Sequence, residues 1–192
     1  DPLGKYSFGD LPAGTYWLEE TQPLTWLDGE EWIGTVSNVP RGSVSPLGDG
    51  FRQIELAFGD DGIDYDFGEV KAGSIGGRVH TDLDGDCELD AGETVLAGVT
   101  MELLDHNGTV VTTTLTDTNG EYLFGDLRPG IYSVRQVQPD GLHDAGQVAG
   151  SHGGDLGQTN LISNIHVGSG ENLVQYNFCE ELPASLAGVV HA

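Results

Sequence analysis

Basic residues are scarce: Lys and Arg number 7 against 31 Asp and Glu, a formal net charge of -24 over 192 residues. Such a chain repels phosphate backbones and anionic lipid alike, which excludes nucleic acid as a partner. No apolar run approaches the ~20 residues needed to cross a bilayer, so membrane insertion is excluded too. Only two cysteines are present, Cys87 and Cys179. That rules out a disulfide-dense scaffold and leaves room for one bridge in an oxidising compartment. Enzyme signatures are also missing. The six histidines have no HExxH or other zinc spacing, and no Gly-x-Ser-x-Gly elbow or phosphate-cradling loop occurs. Carboxylate pairs of the kind glycosidases use are unavoidable among 31 acids and carry no weight by themselves. No enzymatic activity is expected.

Long apolar patterns of helical period are absent, while 30 Gly and 8 Pro break the chain at short intervals. This favours many short strands over helices. A hydrophobic share of 38% with recurring Tyr, Phe, Val and Leu argues against disorder.

The chain repeats itself. Gly4-Lys-Tyr-Ser-Phe-Gly-Asp-Leu-Pro-Ala-Gly-Thr-Tyr16 matches Gly120-Glu-Tyr-Leu-Phe-Gly-Asp-Leu-Arg-Pro-Gly-Ile-Tyr132 in register, and Gln22-Pro23 matches Gln138-Pro139. Downstream, Tyr65–Glu69 matches Tyr176–Glu180 and Ser74–His80 matches Ser185–His191, so the first copy carries a longer loop between Pro23 and Tyr65. We therefore expect residues 1–70 to be the C-terminal part of a preceding repeat, 73–182 a complete repeat, and 183–192 the first strand of a following one. The chain opens inside a motif and has no signal peptide, which predicts a piece of a longer protein.

Strands are expected at 75–80, 98–104, 109–115, 121–124, 131–137, 160–166 and 172–178. Apolar Val99, Met101 and Leu103 alternate with Thr100 and Glu102, and Tyr122 and Phe124 alternate with Glu121 and Leu123. Period two with one apolar face suits antiparallel sheets packed on one side. Asn107-Gly108, Asn119-Gly120 and Pro129-Gly130 mark turns. Seven such strands in one repeat indicate an all-β, immunoglobulin-like or transthyretin-like β-sandwich, with a closed barrel as the competing arrangement. The Gly- and His-rich stretch 140–158 is expected to be a long loop.

The strongest chemical pattern is Asp82-Leu-Asp84-Gly-Asp86-Cys-Glu88-Leu-Asp90-Ala-Gly-Glu93. Counted from Asp82, acids fall at positions 1, 3, 5, 7, 9 and 12, the ligand spacing of an EF-hand loop. Calcium, a hard cation taking six to eight oxygens, fits such a loop. Asp82, Asp84 and Asp86 are expected to point inward, Glu88 to offer its carbonyl, Asp90 to act directly or through water, and Glu93 to bind through both oxygens. Position 6 departs from the EF-hand, with Cys87 in place of Gly, and the flanks read as strands. A solvated acidic turn is the competing reading. Asp117 is a candidate ligand for a second ion, with Asp105. Asp60, Asp61 and Asp64 form a weaker cluster.

Taken together, Gly77-Arg-Val-His80, the acidic loop, Leu96–Asp105, Thr116–Phe124 and Leu127–Val134 resemble the SdrD B-like modules of bacterial surface proteins, relatives of the Cna-B and prealbumin-like (transthyretin-like) domains. The resemblance implies tandem β-sandwich repeats, structural calcium, an extracellular or cell-surface location and a stalk role beside neighbouring repeats of the same protein. Cna-B relatives often carry a Lys–Asn or Lys–Asp isopeptide assisted by Glu. Here Arg78 and Gln136 stand at the Lys and Glu positions and Asn177 has no amine partner, so no isopeptide is expected in this repeat. In the first copy Glu20 and Asp66 are kept. If the first and last strands run parallel, Cys87 and Cys179 lie at one end of the sandwich, either bridged or as two buried thiols.

Trp17, Trp26 and Trp32 read as packing residues, with a sugar-stacking surface on loop 24–35 as the alternative. Asn107-Gly-Thr109 is a glycosylation sequon. The expected function is a calcium-stabilised structural repeat. The alternative is an adhesive or carbohydrate-binding module. A spare strand at 185–192 could also complete a neighbour's sheet and build a head-to-tail filament.

Overall fold

The computed structural model describes residue 1 and residues 3–191; Pro2 and Ala192 lie outside that description. Among the described residues there is no helix. Two compact units divide the chain, Asp1–Val70 and Lys71–Ala192.

The first unit holds β1 (Gly14–Glu19), β2 (Trp26–Trp32), β3 (Thr35–Val36), β4 (Val39–Pro40), β5 (Ser43–Val44), β6 (Gly50–Leu56), β7 (Gly62–Ile63) and β8 (Asp66–Lys71). These form small sheets ordered β1-β6-β5, β2-β8 and β4-β3-β7. Its core is thin. Phe51, Ile54 and Tyr65 are buried, with Tyr16, Leu18, Val44, Leu56 and Phe67 packed partly against them.

In the second unit come β9 (Gly73–Thr81), β10 (Thr100–Asp105), β11 (Val110–Leu115), β12 (Glu121–Leu127), β13 (Gly130–Gln136), β14 (His143–Val148), β15 (Asp155–Gln158), β16 (Leu161–Val167), β17 (Asn172–Leu173) and β18 (Asn177–Glu181). Two sheets result, β11-β10-β13-β16-β15 and β12-β9-β18-β14, with β17 beside β9. All pairings are antiparallel except those of β9 with β17 and β18, which are parallel. The alternating apolar positions fall on the facing sides. Met101, Leu103, Tyr122, Phe124, Val134, Ile162, Ile165 and Phe178 belong to one continuous buried cluster, as a sandwich requires. β9 runs so close to the chain before β18 that a Cβ on Gly77 would sit 1.9 Å from the Tyr176 carbonyl oxygen, so only glycine fits there.

Four expectations are corrected. The stretch 140–158 is not a long loop: it forms β14, paired to β18, and β15, paired to β16. Backbone pairing at the sheet edges builds these strands, so they need no apolar alternation. The strand expected at 172–178 breaks into β17 and β18, with Gln175 between them at φ 66. Residues 182–191 form no strand and have no sheet partner among the described residues. The tryptophans are not core: Trp17 is 67%, Trp26 38% and Trp32 54% exposed, and 26–32 is strand rather than loop.

Matched positions of the two units make the same hydrogen bonds. Tyr6 donates its hydroxyl to the Tyr65 carbonyl, and Tyr122 donates to that of Tyr176. Tyr16 closes a corner onto the Pro12 carbonyl, as Tyr132 does onto Arg128. Gln22 donates to Glu69 and to the Trp26 carbonyl, and Gln138 donates to Glu180 and to the Leu142 carbonyl. Left-handed backbone recurs at Asp10 and Asp126, Asp49 and Asn160, Gln53 and Asn164, and Asp64 and Gln175.

Candidate metal centre

The acidic loop leaves β9 and returns to it. Beside β9, β18 places Phe178, Cys179 and Glu180 opposite Val79, His80 and Thr81. The Asp82 N–H donates to the Glu180 carbonyl at 2.8 Å and extends that ladder by one step. On the return, the Thr81 N–H donates to the Thr94 carbonyl at 2.8 Å and the Thr94 N–H donates to the Thr81 hydroxyl at 2.9 Å. His80 bridges Val95, and the Leu96 N–H donates to the Val79 carbonyl. Both ends of the loop are thus fixed to one strand.

Inside the loop, Asp82 is buried and organises the turn. Its Oδ1 accepts from the Asp84 and Gly85 N–H groups at 3.2 and 2.7 Å, and its Oδ2 accepts from the Cys87 N–H at 3.0 Å. Burial by itself raises the Asp82 carboxyl, but the N–H groups of Gly85, Cys87, Asp84 and Asp86 together outweigh it and hold it below the ordinary range. Asp84 goes the other way, raised chiefly by the adjacent Asp86 carboxylate. Each of Asp82, Asp84 and Asp86 offers a carboxylate oxygen, and these oxygens all lie within 4.8 Å of one another. Three hard anionic oxygens on a fixed loop suit a hard cation, and the mutual repulsion at Asp84 is what a cation relieves.

The remaining expected ligands lie elsewhere. Glu93 falls outside the group of three; its two oxygens accept from the Leu83 and Asp90 N–H groups at 2.8 Å each and tie the loop across its width. Glu88 and Asp90 fall outside the group of three; the Glu88 N–H donates to Asp86 Oδ1. Asp117 also lies outside it. Its Oδ1 accepts from the Asn119 and Glu121 N–H groups and shapes the turn before β12. Asp105 does the same for Asn107 and Thr109. Asp60 likewise serves its own turn, accepting from the Ala57 N–H. Cys87 and Cys179 are joined as a disulfide, their Cα atoms 5.6 Å apart.

Over residues 73–178, more than half of its length, the chain matches the SdrD B-like domain. This chain belongs to the SdrD B-like family. Similar proteins include serine-aspartate repeat-containing protein I of Staphylococcus saprophyticus, 34% identical over 148 residues, covering 74% of this chain and 8% of that protein. Serine-aspartate repeat-containing protein D of Staphylococcus aureus is 33% identical over 144 residues, 73% of this chain and 10% of that protein. Colossin-A of Dictyostelium discoideum is 35% identical over 141 residues, covering 73% of this chain and 1% of that protein. The SdrD B-like chain thus spans a tenth or less of these curated relatives. Among solved structures, the GBS52 minor pilin of Streptococcus agalactiae overlaps 96% of this chain and 66% of its own at 14% identity and a TM-score of 0.43. The SdrD B-like repeat takes its place among cell-surface repeat proteins, and among the described residues no helix is long and apolar enough to cross a membrane.

A second carboxylate group escaped the sequence reading. Asp28 and Glu31 on β2 meet Asp49 from the turn before β6, with carboxylate oxygens within 4.8 Å of one another. Burial comes first among the causes that raise Glu31 and Asp49, followed by the neighbouring Asp28. Glu20 is raised by burial and then by Glu69, Asp49, Asp28 and Glu31. Its signal lay in the repeat itself, where Glu20, Glu31 and Asp49 align with Gln136, Gln147 and Asn160.

Proposed function

We propose that the chain is a calcium-stiffened, non-enzymatic structural repeat of a cell-surface protein. It is flanked by further repeats, with residues 1–70 the rear of one and 73–182 the next. The observation that carries this reading is the convergence of Asp82, Asp84 and Asp86 on a loop fixed at both ends to β9. Asp82, Asp84 and Asp86 hold the ion, while Glu93 holds the loop. Bound calcium neutralises the repelling carboxylates and orders the loop. Thermal unfolding in calcium against chelator tests it. We expect a higher midpoint in calcium, and no such shift in Asp84→Ala. An unchanged midpoint in the wild-type chain leaves the loop a solvated turn.

Head-to-tail assembly is the finer reading. β1 lies at the edge of its sheet, paired only to β6 among the described residues, and the exposed segment Ser185–His191 repeats the sequence of β9. A second copy could add that segment to an open edge through backbone pairing. Light scattering that finds only monomer at high protein concentration would rule it out. The exposure of Trp17, Trp26 and Trp32 favours a second reading, an adhesive surface that stacks on sugar rings. Glycan-array binding lost in Trp17→Ala and Trp32→Ala supports it, and a blank array removes it.

A further inference from the structure

Residue Cys87 stands at position 6 of the acidic loop, where an EF-hand has glycine. Its backbone is left-handed, φ 58, a conformation that costs a residue with a Cβ and that glycine adopts freely. From there its N–H reaches Asp82 Oδ2 at 3.0 Å, and its neighbour is Asp86. Its sulfur is bonded to Cys179, which is fully buried on β18 and pairs with fully buried His80 on β9. The loop is therefore held at a third point besides its two ends, and that point is the residue that orients one ligand and adjoins another.

We propose that the Cys87–Cys179 disulfide is a positioning element of the cation loop, so that oxidation of the bridge and cation binding strengthen each other. This inference rests on reading the loop as a calcium site. With the bridge closed, Cys87 stays left-handed and its N–H stays on Asp82. With the bridge open, Cys87 can relax to ordinary backbone, and Asp84 and Asp86 swing apart under their own repulsion. The cation must then reorder the loop when it binds. Linkage makes the coupling reciprocal: whatever factor oxidation adds to cation affinity, the cation adds to the resistance of the bridge to reduction.

The chemistry needs a dithiol reductant. Its thiolate attacks the sulfur of half-buried Cys87, since Cys179 is shielded. The S–S bond breaks, a mixed disulfide forms on Cys87, and Cys179 leaves as a thiolate that takes up a proton. The second thiol of the reductant then displaces Cys87. The reductant has become a disulfide, giving up two electrons and two protons, and the two cysteines have gained them.

The test is calorimetric titration of the whole chain with calcium, oxidised and after reduction with dithiothreitol, alongside Cys87→Ser/Cys179→Ser and Cys87→Gly. We expect the oxidised chain to bind at least about fivefold more tightly than the reduced chain, within the usual range for coupled sites. The double variant should match the reduced chain. A dithiothreitol redox titration with and without calcium should show the same factor in the bridge equilibrium. It reads the coupling even if the double variant fails to fold. Equal affinity in oxidised and reduced chains overturns the inference and leaves the calcium reading intact. Cys87→Gly binding as tightly as the oxidised chain also overturns it, because backbone freedom and not the bridge would then set affinity. If the oxidised chain takes up no calcium, or its binding survives Asp84→Ala, the site reading itself fails.

Discussion

In the second unit Glu180 is fully buried, and two glutamine amides, Gln136 and Gln138, donate to its carboxylate. Asn160 donates in turn to Gln138 at 2.7 Å. In the first unit the matched carboxylate is Glu69, and Gln22 donates to it at 2.5 Å as Gln138 does to Glu180. Around that pair, however, Glu20, Glu31 and Asp49 replace Gln136, Gln147 and Asn160, while Asp28 matches Asp144. Shape hardly changes between an amide and a carboxyl group. What changes is the ability to donate a hydrogen bond without first taking up a proton. The second unit's donors are permanent amides; they lower the Glu180 carboxyl, which burial, the larger cause, raises. The first unit's corner needs protons, or another positive charge, to be equally well satisfied, and this is why burial and mutual repulsion raise Glu20, Glu31 and Asp49.

The cores differ in the same direction, and the largest expected effect breaks on them. Phe178 and Phe51 are both fully buried, but Phe178 belongs to a far larger buried cluster. Phe178→Ala should cost about 3–5 kcal/mol, whereas around Phe51 the thinner shell can collapse and the loss should be smaller. All 3 tryptophans lie in the first unit, so their fluorescence reports that unit alone. Chemical denaturation of Phe178→Ala should move the far-ultraviolet circular dichroism transition and leave the tryptophan transition in place. A common shift of both signals would show that the two units unfold as one.

The polar corner is sharpened by exchanging its acids for the second unit's amides. Glu20→Gln, Glu31→Gln and Asp49→Asn together should raise the first unit's stability at neutral pH, by no more than about 1 kcal/mol because solvent screens these partly exposed charges. The sign with pH follows from the direction of the shifts. Carboxyls raised in the folded state contribute stability that is fully present below their ordinary range near pH 4. That stability is lost as pH rises through the raised range. The wild-type tryptophan midpoint should therefore decline as pH climbs from about 4, and the triple variant should decline less. An identical slope in both proteins would mean that these three groups are not the cause.

How much of this was legible depends on where each signal resides. β10, β12 and β13 could be placed because Met101 and Leu103, Tyr122 and Phe124, and Tyr132 and Val134 alternate along the chain. β14 could not, because backbone pairing to β18 holds it and its residues include Asp144, Gly146 and Gln147. The spacing of the loop acids is a property of the chain, but convergence is a property of space. Glu93 sits at the ligand position, yet it lies outside the group formed by Asp82, Asp84 and Asp86 and bridges the Leu83 and Asp90 N–H groups. The Asp28, Glu31 and Asp49 group joins a strand to a distant turn, so no local window contains it. Reading the two copies column by column, acid against amide, does reveal it.

A single hydrogen bond, compared across the two units, isolates burial as the variable. Tyr122 and Tyr6 make the same hydrogen bond, each to the carbonyl of the matched tyrosine downstream. Tyr122 is 4% exposed and Tyr6 48%. Removing the Tyr122 hydroxyl leaves the Tyr176 carbonyl without that partner in a dry interior, which costs about 1–3 kcal/mol. At Tyr6 water can replace the lost hydroxyl, and the cost should stay within about 0.5 kcal/mol. Tyr122→Phe and Tyr6→Phe measured by the same denaturation, one read by circular dichroism and the other by tryptophan fluorescence, compare one bond in two settings. Equal losses would mean that the Tyr65 carbonyl is as well sealed from water as its counterpart, and that the first unit is closed more tightly than its thin core implies.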